Sequence, residues 1–147
     1  PFITRFPEME FFISNIRNES DYAQIQTNHA ICISRYLAQN ECFPDYPYIA
    51  LADIAYNEDG SFKWKAFKTV DDKLELSVRL EGLYVCYIQK GVRLTVDHCL
   101  EKMFAHAKSR GFEPNGPAYL VDTSNFVITK NSDEYKTLYQ VQVTPAK

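Results

Sequence analysis

The residues with the most chemical capacity in this sequence are its aromatic rings and a few acids. Ten Tyr and ten Phe bring the aromatic share to 14% of 147 residues. Tyr84, Tyr87, Tyr119 and Tyr139 fall in stretches that read as strands, and Tyr48 and Tyr56 flank another. Ring faces attract flat apolar molecules by stacking and cations through the ring quadrupole, and a carboxylate such as Asp122 supplies the opposite charge. A groove lined this way suits a flat, apolar or cationic organic molecule. Taken singly, each ring serves equally well as ordinary core.

Catalytic constellations are missing. G-x-S-x-G, H-E-x-x-H, a phosphate loop and a dinucleotide fingerprint do not occur. His29, His98 and His106 are scattered. Cys99 follows His98 directly, but neighbours on a helix point to different faces, so adjacency makes neither a nucleophile–base pair nor a ligand set. Cysteines stand at 32, 42, 86 and 99 with no C-x-x-C spacing, which reads as small buried apolar residues in a reducing compartment. The expectation is no enzyme, no metal and no cofactor.

The elements that must position the rings repeat. Residues 10–16 are dense in aromatic and β-branched side chains and read as a strand. Tyr22, Ile25, His29, Cys32, Ile33, Tyr36 and Leu37 follow with helical spacing, which predicts a helix near 21–39. Strands follow at 48–54, 62–67 and 73–80, the first two around the turn signal Glu58-Asp59-Gly60. The pattern then restarts. Residues 82–88 read as a strand. Val96, Cys99, Leu100, Met103, Phe104 and Ala107 make a second helical stripe near 95–110, with Thr95 as N-cap and Gly111 after its end. Residues 120–122, 126–129 and 138–143 supply the closing strands. Leu120-Val121-Asp122 echoes Leu51-Ala52-Asp53 at an offset of about 70 residues.

The fold expected is therefore α+β: a tandem β-α-β-β repeat with pseudo-twofold symmetry. An antiparallel sheet carries one main helix per half, with a groove between the halves. The chain, 1–147, is read as a single domain with half-repeats at about 8–80 and 81–147. In the last strand, alternation sends Val141 and Val143 to the core and Gln140 and Gln142 to the opposite side.

Charge excludes one class of partner. Lys and Arg number 16 against 19 Asp and Glu, a net charge of −3, without the basic excess that holds phosphates. Binding to DNA by this chain alone is not expected. No apolar run approaches the ~20 residues of a membrane span. No charged-then-apolar leader opens the chain, and the expected location is the cytoplasm.

The segment from Gly82 to Val143 resembles the GyrI-like effector-binding domain of BmrR-type, MerR-class multidrug-sensing transcription regulators. The resemblance rests on the strand at 83–88 followed by Lys90-Gly91 and on the helix from Thr95. It continues through Gly111-Phe112-Glu113-Pro114-Asn115-Gly116-Pro117-Ala118-Tyr119 and the terminal Gln140-Val141-Gln142-Val143-Thr144-Pro145. It implies a sensor for hydrophobic, often cationic compounds, a separate N-terminal winged-helix domain ahead of Pro1 that contacts DNA, and a homodimeric full-length regulator. The family's final strand usually carries Glu where Gln140 stands, so a neutral ligand is equally allowed. The site expected at the junction of the halves comprises Phe12, Tyr36, Tyr48, Tyr119, Leu120, Asp122 and Gln140, with Asp122 the acid for a cation. The alternative is a stand-alone protein of this fold that hydrolyses or sequesters small molecules or binds a protein partner. A hydrolase would pair Asp122 or Glu75 with a Tyr.

Overall fold

The computed structural model describes residues 1–14, 48–66, 75–90, 95–124 and 136–146. Within them run β1 (Phe2–Phe6), β2 (Met9–Ser14), β3 (Tyr48–Tyr56), β4 (Phe62–Ala66), β5 (Glu75–Arg79), β6 (Gly82–Lys90), α1 (Val96–Ser109), β7 (Phe112–Ser124) and β8 (Lys136–Pro145). The helix expected at 21–39 and the strand at 126–129 lie outside the described residues, as do Cys32 and Cys42.

The strands form one sheet in the order β1-β6-β8-β7-β3-β2-β5, with β4 also paired to β3. Two short links set its shape. Only Pro7 and Glu8 join β1 to β2, and only Leu80 and Glu81 join β5 to β6. Laid flat, each link would have to cross five strand spacings, roughly 24 Å. Three Cα steps reach about 11 Å at most. The sheet therefore curls until its two edges approach each other, which makes a half-barrel with an inner and an outer face.

The antiparallel expectation needs one correction. Phe12, Ile13 and Ser14 pair with Tyr48, Ile49 and Ala50 in parallel, so the sheet is mixed. A parallel pair requires a long crossover, and the chain between Ser14 and Tyr48 supplies one. In the second half β8 inserts between β6 and β7, antiparallel to both. In the first half β4 takes only the later part of the β3 edge and β5 moves to the far side of β2. The two halves meet where β3 and β7 run antiparallel, with Leu51 opposite Tyr119. β1 was not anticipated, although Phe2, Thr4 and Phe6 alternate with Ile3 and Arg5.

Helix α1 covers the outer face. Val96, Cys99, Leu100, Met103 and Ala107 are its buried residues, the expected stripe. They pack on Ala50, Ala52, Val85, Ala118, Leu120, Tyr139, Val141 and Val143. Each fully buried side chain of Leu or Met size contributes roughly 1.5–3 kcal/mol. Thr95 caps the helix, its hydroxyl accepting from the His98 amide at 3.2 Å. Gly111, at φ 81°, stands just past its end. There its amide donates to the Lys108 carbonyl and its own carbonyl accepts from Ala146. Trp64 Nε1 donates to Asp97 Oδ1 at 2.7 Å and ties β4 to the first turn of α1.

Candidate ligand-binding interior

The inner face is aromatic and, among the described residues, carries one buried charge. Phe11 and Ile13 from β2, Ile49 and Leu51 from β3, Tyr84 and Cys86 from β6, and Tyr119 from β7 form its core. Two ring pairs meet edge to face and a third is tilted. Phe11 and Tyr119 centroids lie 5.6 Å apart at 84°, Tyr84 and Tyr119 6.2 Å apart at 71°, and Phe6 and Tyr84 5.7 Å apart at 58°.

Arg79, the last residue of β5, enters this cluster and is 4% exposed. Its Nη1 donates to Gln140 Oε1 at 2.8 Å and its Nη2 to the Pro7 carbonyl at 3.1 Å. The guanidinium carbon stands 4.5 Å from the Phe6 ring centroid and 5.5 Å from that of Tyr84. Its Nε is buried and has no hydrogen-bond partner among the described residues. The ion pair formed among those residues is Arg5 with Glu81 at 4.0 Å, at the surface. Arg79 is thus held by two neutral carbonyl oxygens and two ring faces.

Strand β5 is inside out with respect to hydropathy. Leu76, Val78 and Leu80 are 48%, 38% and 59% exposed while Arg79 is buried. Alternation fixes this once register is set: Met9 opposes Arg79 and Phe11 opposes Ser77 on β2, so residues 77 and 79 share the inner face with Phe11.

Burial dominates the local electrostatics. It lowers the Arg79 pKa, against which Tyr84, Tyr119 and Cys86 act, and arginine stays charged. It pushes the Tyr84 phenol up to about 12 and the Cys86 thiol up to about 12, and raises Tyr119, with Arg79 pulling each of them back. Tyr84 also spends its hydroxyl on the Leu80 carbonyl at 2.6 Å. The interior therefore offers neutral phenols and a cation.

The residues expected from the sequence divide between the two faces. Tyr119 and Gln140 lie together on the inner face, opposite each other in register. Leu120 belongs to the outer face and packs with the α1 cluster. Phe12 is buried, and alternation along β2 turns it away from Phe11 and Ile13. Tyr48 pairs with Phe12 at the backbone, and Asp122 pairs with Thr137 beside a register irregularity. Tyr36 lies outside the described residues. Sequence reasoning named Tyr84 among the strand tyrosines but left it out of the expected site, and it missed Arg79, Phe11 and Phe6. No local signal singled out Arg79: it shares the polar side of the alternation in residues 73–80 with Lys73, Glu75 and Ser77, which reads as a solvated face.

Elsewhere, Cys99 is buried with its thiol raised to about 11 by burial, while His98 is exposed, so the two point apart. No cluster of metal-binding side chains occurs among the described residues, and no helix there is long and apolar enough to cross a membrane. An open groove of about 420 Å³ separates the β3–β4 turn from the end of α1 and includes Tyr56, Phe104, Lys108 and Phe112. Tyr56 donates its hydroxyl to the Gly116 carbonyl at 2.7 Å.

The curled α+β half-barrel has solved counterparts. The C-terminal domain of EcmrR superposes with a TM-score of 0.60 at 12% identity, over 99% of this chain and 97% of that one. EcmrR in its DNA complex gives 0.65 at 12%, and there this chain spans 57% of the longer protein. A hydrolase from Listeria innocua gives 0.51 at 15%, over 97% and 91%. No protein-family model and no curated protein matches the sequence. At these identities the likeness establishes the fold: this chain has the fold of the EcmrR C-terminal domain, and the resemblance read in residues 82–143 holds at that level.

Proposed function

We propose that the chain is the small-molecule effector-binding domain of a bacterial transcription regulator, and that its half-barrel interior takes a hydrophobic aromatic compound. The observation that carries this reading is the inside-out strand β5, which exposes Leu76 and Val78 and buries Arg79 among rings. Folding alone favours the opposite arrangement, and conflicts between local pattern and structure concentrate where function is built. The likeness to EcmrR, solved both as an isolated C-terminal domain and bound to DNA, supports the regulator reading. On this reading residues 1–147 form one domain, DNA is contacted through a separate N-terminal domain, the full regulator is a homodimer, and the protein works in the cytoplasm. The residues assigned to the ligand are Tyr119 and Gln140, from the expected set, together with Arg79, Tyr84, Phe6 and Phe11.

Catalysis is not part of the proposal. A hydrolase needs a carboxylate base beside a phenol of moderate acidity. Tyr84 is held at about 12, and its proton is committed to Leu80.

The test is titration of the purified chain with a panel of lipophilic aromatic compounds, read by tyrosine and tryptophan fluorescence and by thermal shift. Saturable binding by at least one member is expected. Tyr119→Ala should weaken it by up to about thirtyfold, the worth of one good ring contact. Failure of every member to bind would refute this reading.

A further inference from the structure

We propose that the interior selects an anion: a flat aromatic compound carrying a carboxylate, paired with the Arg79 guanidinium. This rests on the reading of the interior as the ligand site and adds the ligand's charge to it. The first observation is the state of Arg79. A buried cation normally sits against a carboxylate, yet here its partners are the Gln140 amide oxygen, the Pro7 carbonyl and the faces of Phe6 and Tyr84. None of these carries a formal charge.

The second observation is the unpartnered Nε. It is buried and has no acceptor among the described residues; beside it on one edge of the guanidinium fork is Nη2, which gives one N–H to Pro7 and keeps a second. That edge is the one by which arginine takes a carboxylate through two parallel bonds, shorter and stronger than bonds to neutral oxygens. A carboxylate arriving there supplies both the missing acceptor and the missing charge.

The third observation is what surrounds the fork. Phe6, Tyr84, Tyr119 and Phe11 form a continuous run of rings in contact leading away from it, tilted at Phe6–Tyr84 and edge to face beyond. A flat hydrocarbon body attached to the acid meets rings. A cation is disfavoured on two counts: the ring faces next to the charge site are already occupied by a guanidinium, and a second positive charge would be repelled by it. Gln140 fits the same logic, because an acid at this position would form an ion pair with Arg79 and cancel the field that a ligand anion needs.

The experiment uses three probes of one shape, 1-naphthoate, 1-naphthamide and 1-naphthylmethylammonium, titrated into the wild-type chain, Arg79→Lys and Arg79→Gln. In wild type the carboxylate should bind at least about tenfold more tightly than the amide, with the ammonium weakest, because a charge-assisted pair replaces a neutral one. Arg79→Gln should bring carboxylate and amide together. Arg79→Lys should keep the order but narrow the gap. Should the variants fail to fold, the wild-type Arg79 Nε–H resonance remains as the readout: a downfield shift with 1-naphthoate and none with 1-naphthamide is expected. Ammonium binding equal to or better than carboxylate binding, or an unmoved Nε–H resonance at saturation, would overturn the anion assignment while leaving an aromatic sensor in place. Absence of binding by all three and by the wider panel would overturn both.

Discussion

Arg79 and Gln140 meet across most of the sheet's width. One ends β5 at an edge and the other lies in β8, four places away in strand order, yet Nη1 and Oε1 are 2.8 Å apart. The bond exists because the sheet is curled, and it clasps the curl together with the bond from Nη2 to Pro7. It joins the chain's most unusual burial to its most informative strand.

Removing one partner or the other should have unequal effects on stability. Gln140→Leu strips an acceptor from a buried cation and should cost about 1.5–3 kcal/mol. Arg79→Met removes the desolvated cation but leaves the Gln140 and Pro7 oxygens without a donor; the two effects offset, and the change should be neutral to within about 1 kcal/mol. Urea unfolding midpoints of the two variants measure this. A strongly destabilised Arg79→Met would show that the clasp holds the fold rather than serving a ligand.

The inside-out strand makes a second contrast. Leu76→Thr, at a half-exposed position, should change stability by less than about 1 kcal/mol. Leu100→Ala, in the α1 stripe and fully buried, should cost about 2–5 kcal/mol. Thermal unfolding followed by circular dichroism distinguishes them. Comparable losses would mean that the Leu76 face is covered in solution.

These contrasts mark where the sequence was legible. The stripe from Val96 to Ala107 specified α1 and its buried face, because 3.6-residue periodicity over three turns has no competing reading. In β8, alternation placed Val141 and Val143 against Gln140 correctly, since one face is wholly apolar. Alternation failed at β5, where the apolar side is the exposed one, because register against β2 outranks hydropathy. Leu120 was expected in the site beside its neighbour Tyr119, yet it faces the helix, as alternation along one strand requires. The partnership of Arg79 with Phe6 and Tyr84 depends on closure of the curl, a long-range property that no local pattern carries.

The ends of α1 offer a third prediction. Thr95→Ala removes the acceptor of the His98 amide and should cost about 1 kcal/mol. Gly111→Ala places a Cβ on a residue at φ 81° and should cost a similar ~1 kcal/mol, although the space around it is open. Because the two caps lie at opposite ends of the helix and share no partner, the double variant should lose the sum to within about 0.5 kcal/mol. Chemical unfolding of the three variants checks this, and a double loss well beyond the sum would show that the ends communicate.

The final prediction concerns alkaline pH. Burial raises Tyr84 from about 10 to about 12, Cys86 from about 9 to about 12 and Cys99 from about 9 to about 11. In each case the folded state holds its proton more tightly than the unfolded one. Their joint contribution to stability is therefore complete below about pH 9. It declines as the unfolded chain ionises, and it is lost once pH passes the folded values near 11 and 12. Unfolding free energy should be insensitive to these three groups at pH 7–8.5 and should fall steadily from pH 9 upward. The same physics protects the thiols. Iodoacetamide at pH 8 should leave Cys86 and Cys99 unmodified in the native chain and alkylate both in denaturant, because the thiolate is the reactive form. Peptide mass spectrometry after a short pulse reads the two sites separately. Rapid native labelling of Cys86 would show that the interior around Arg79 opens readily to solvent, against the burial of its thiol and rings.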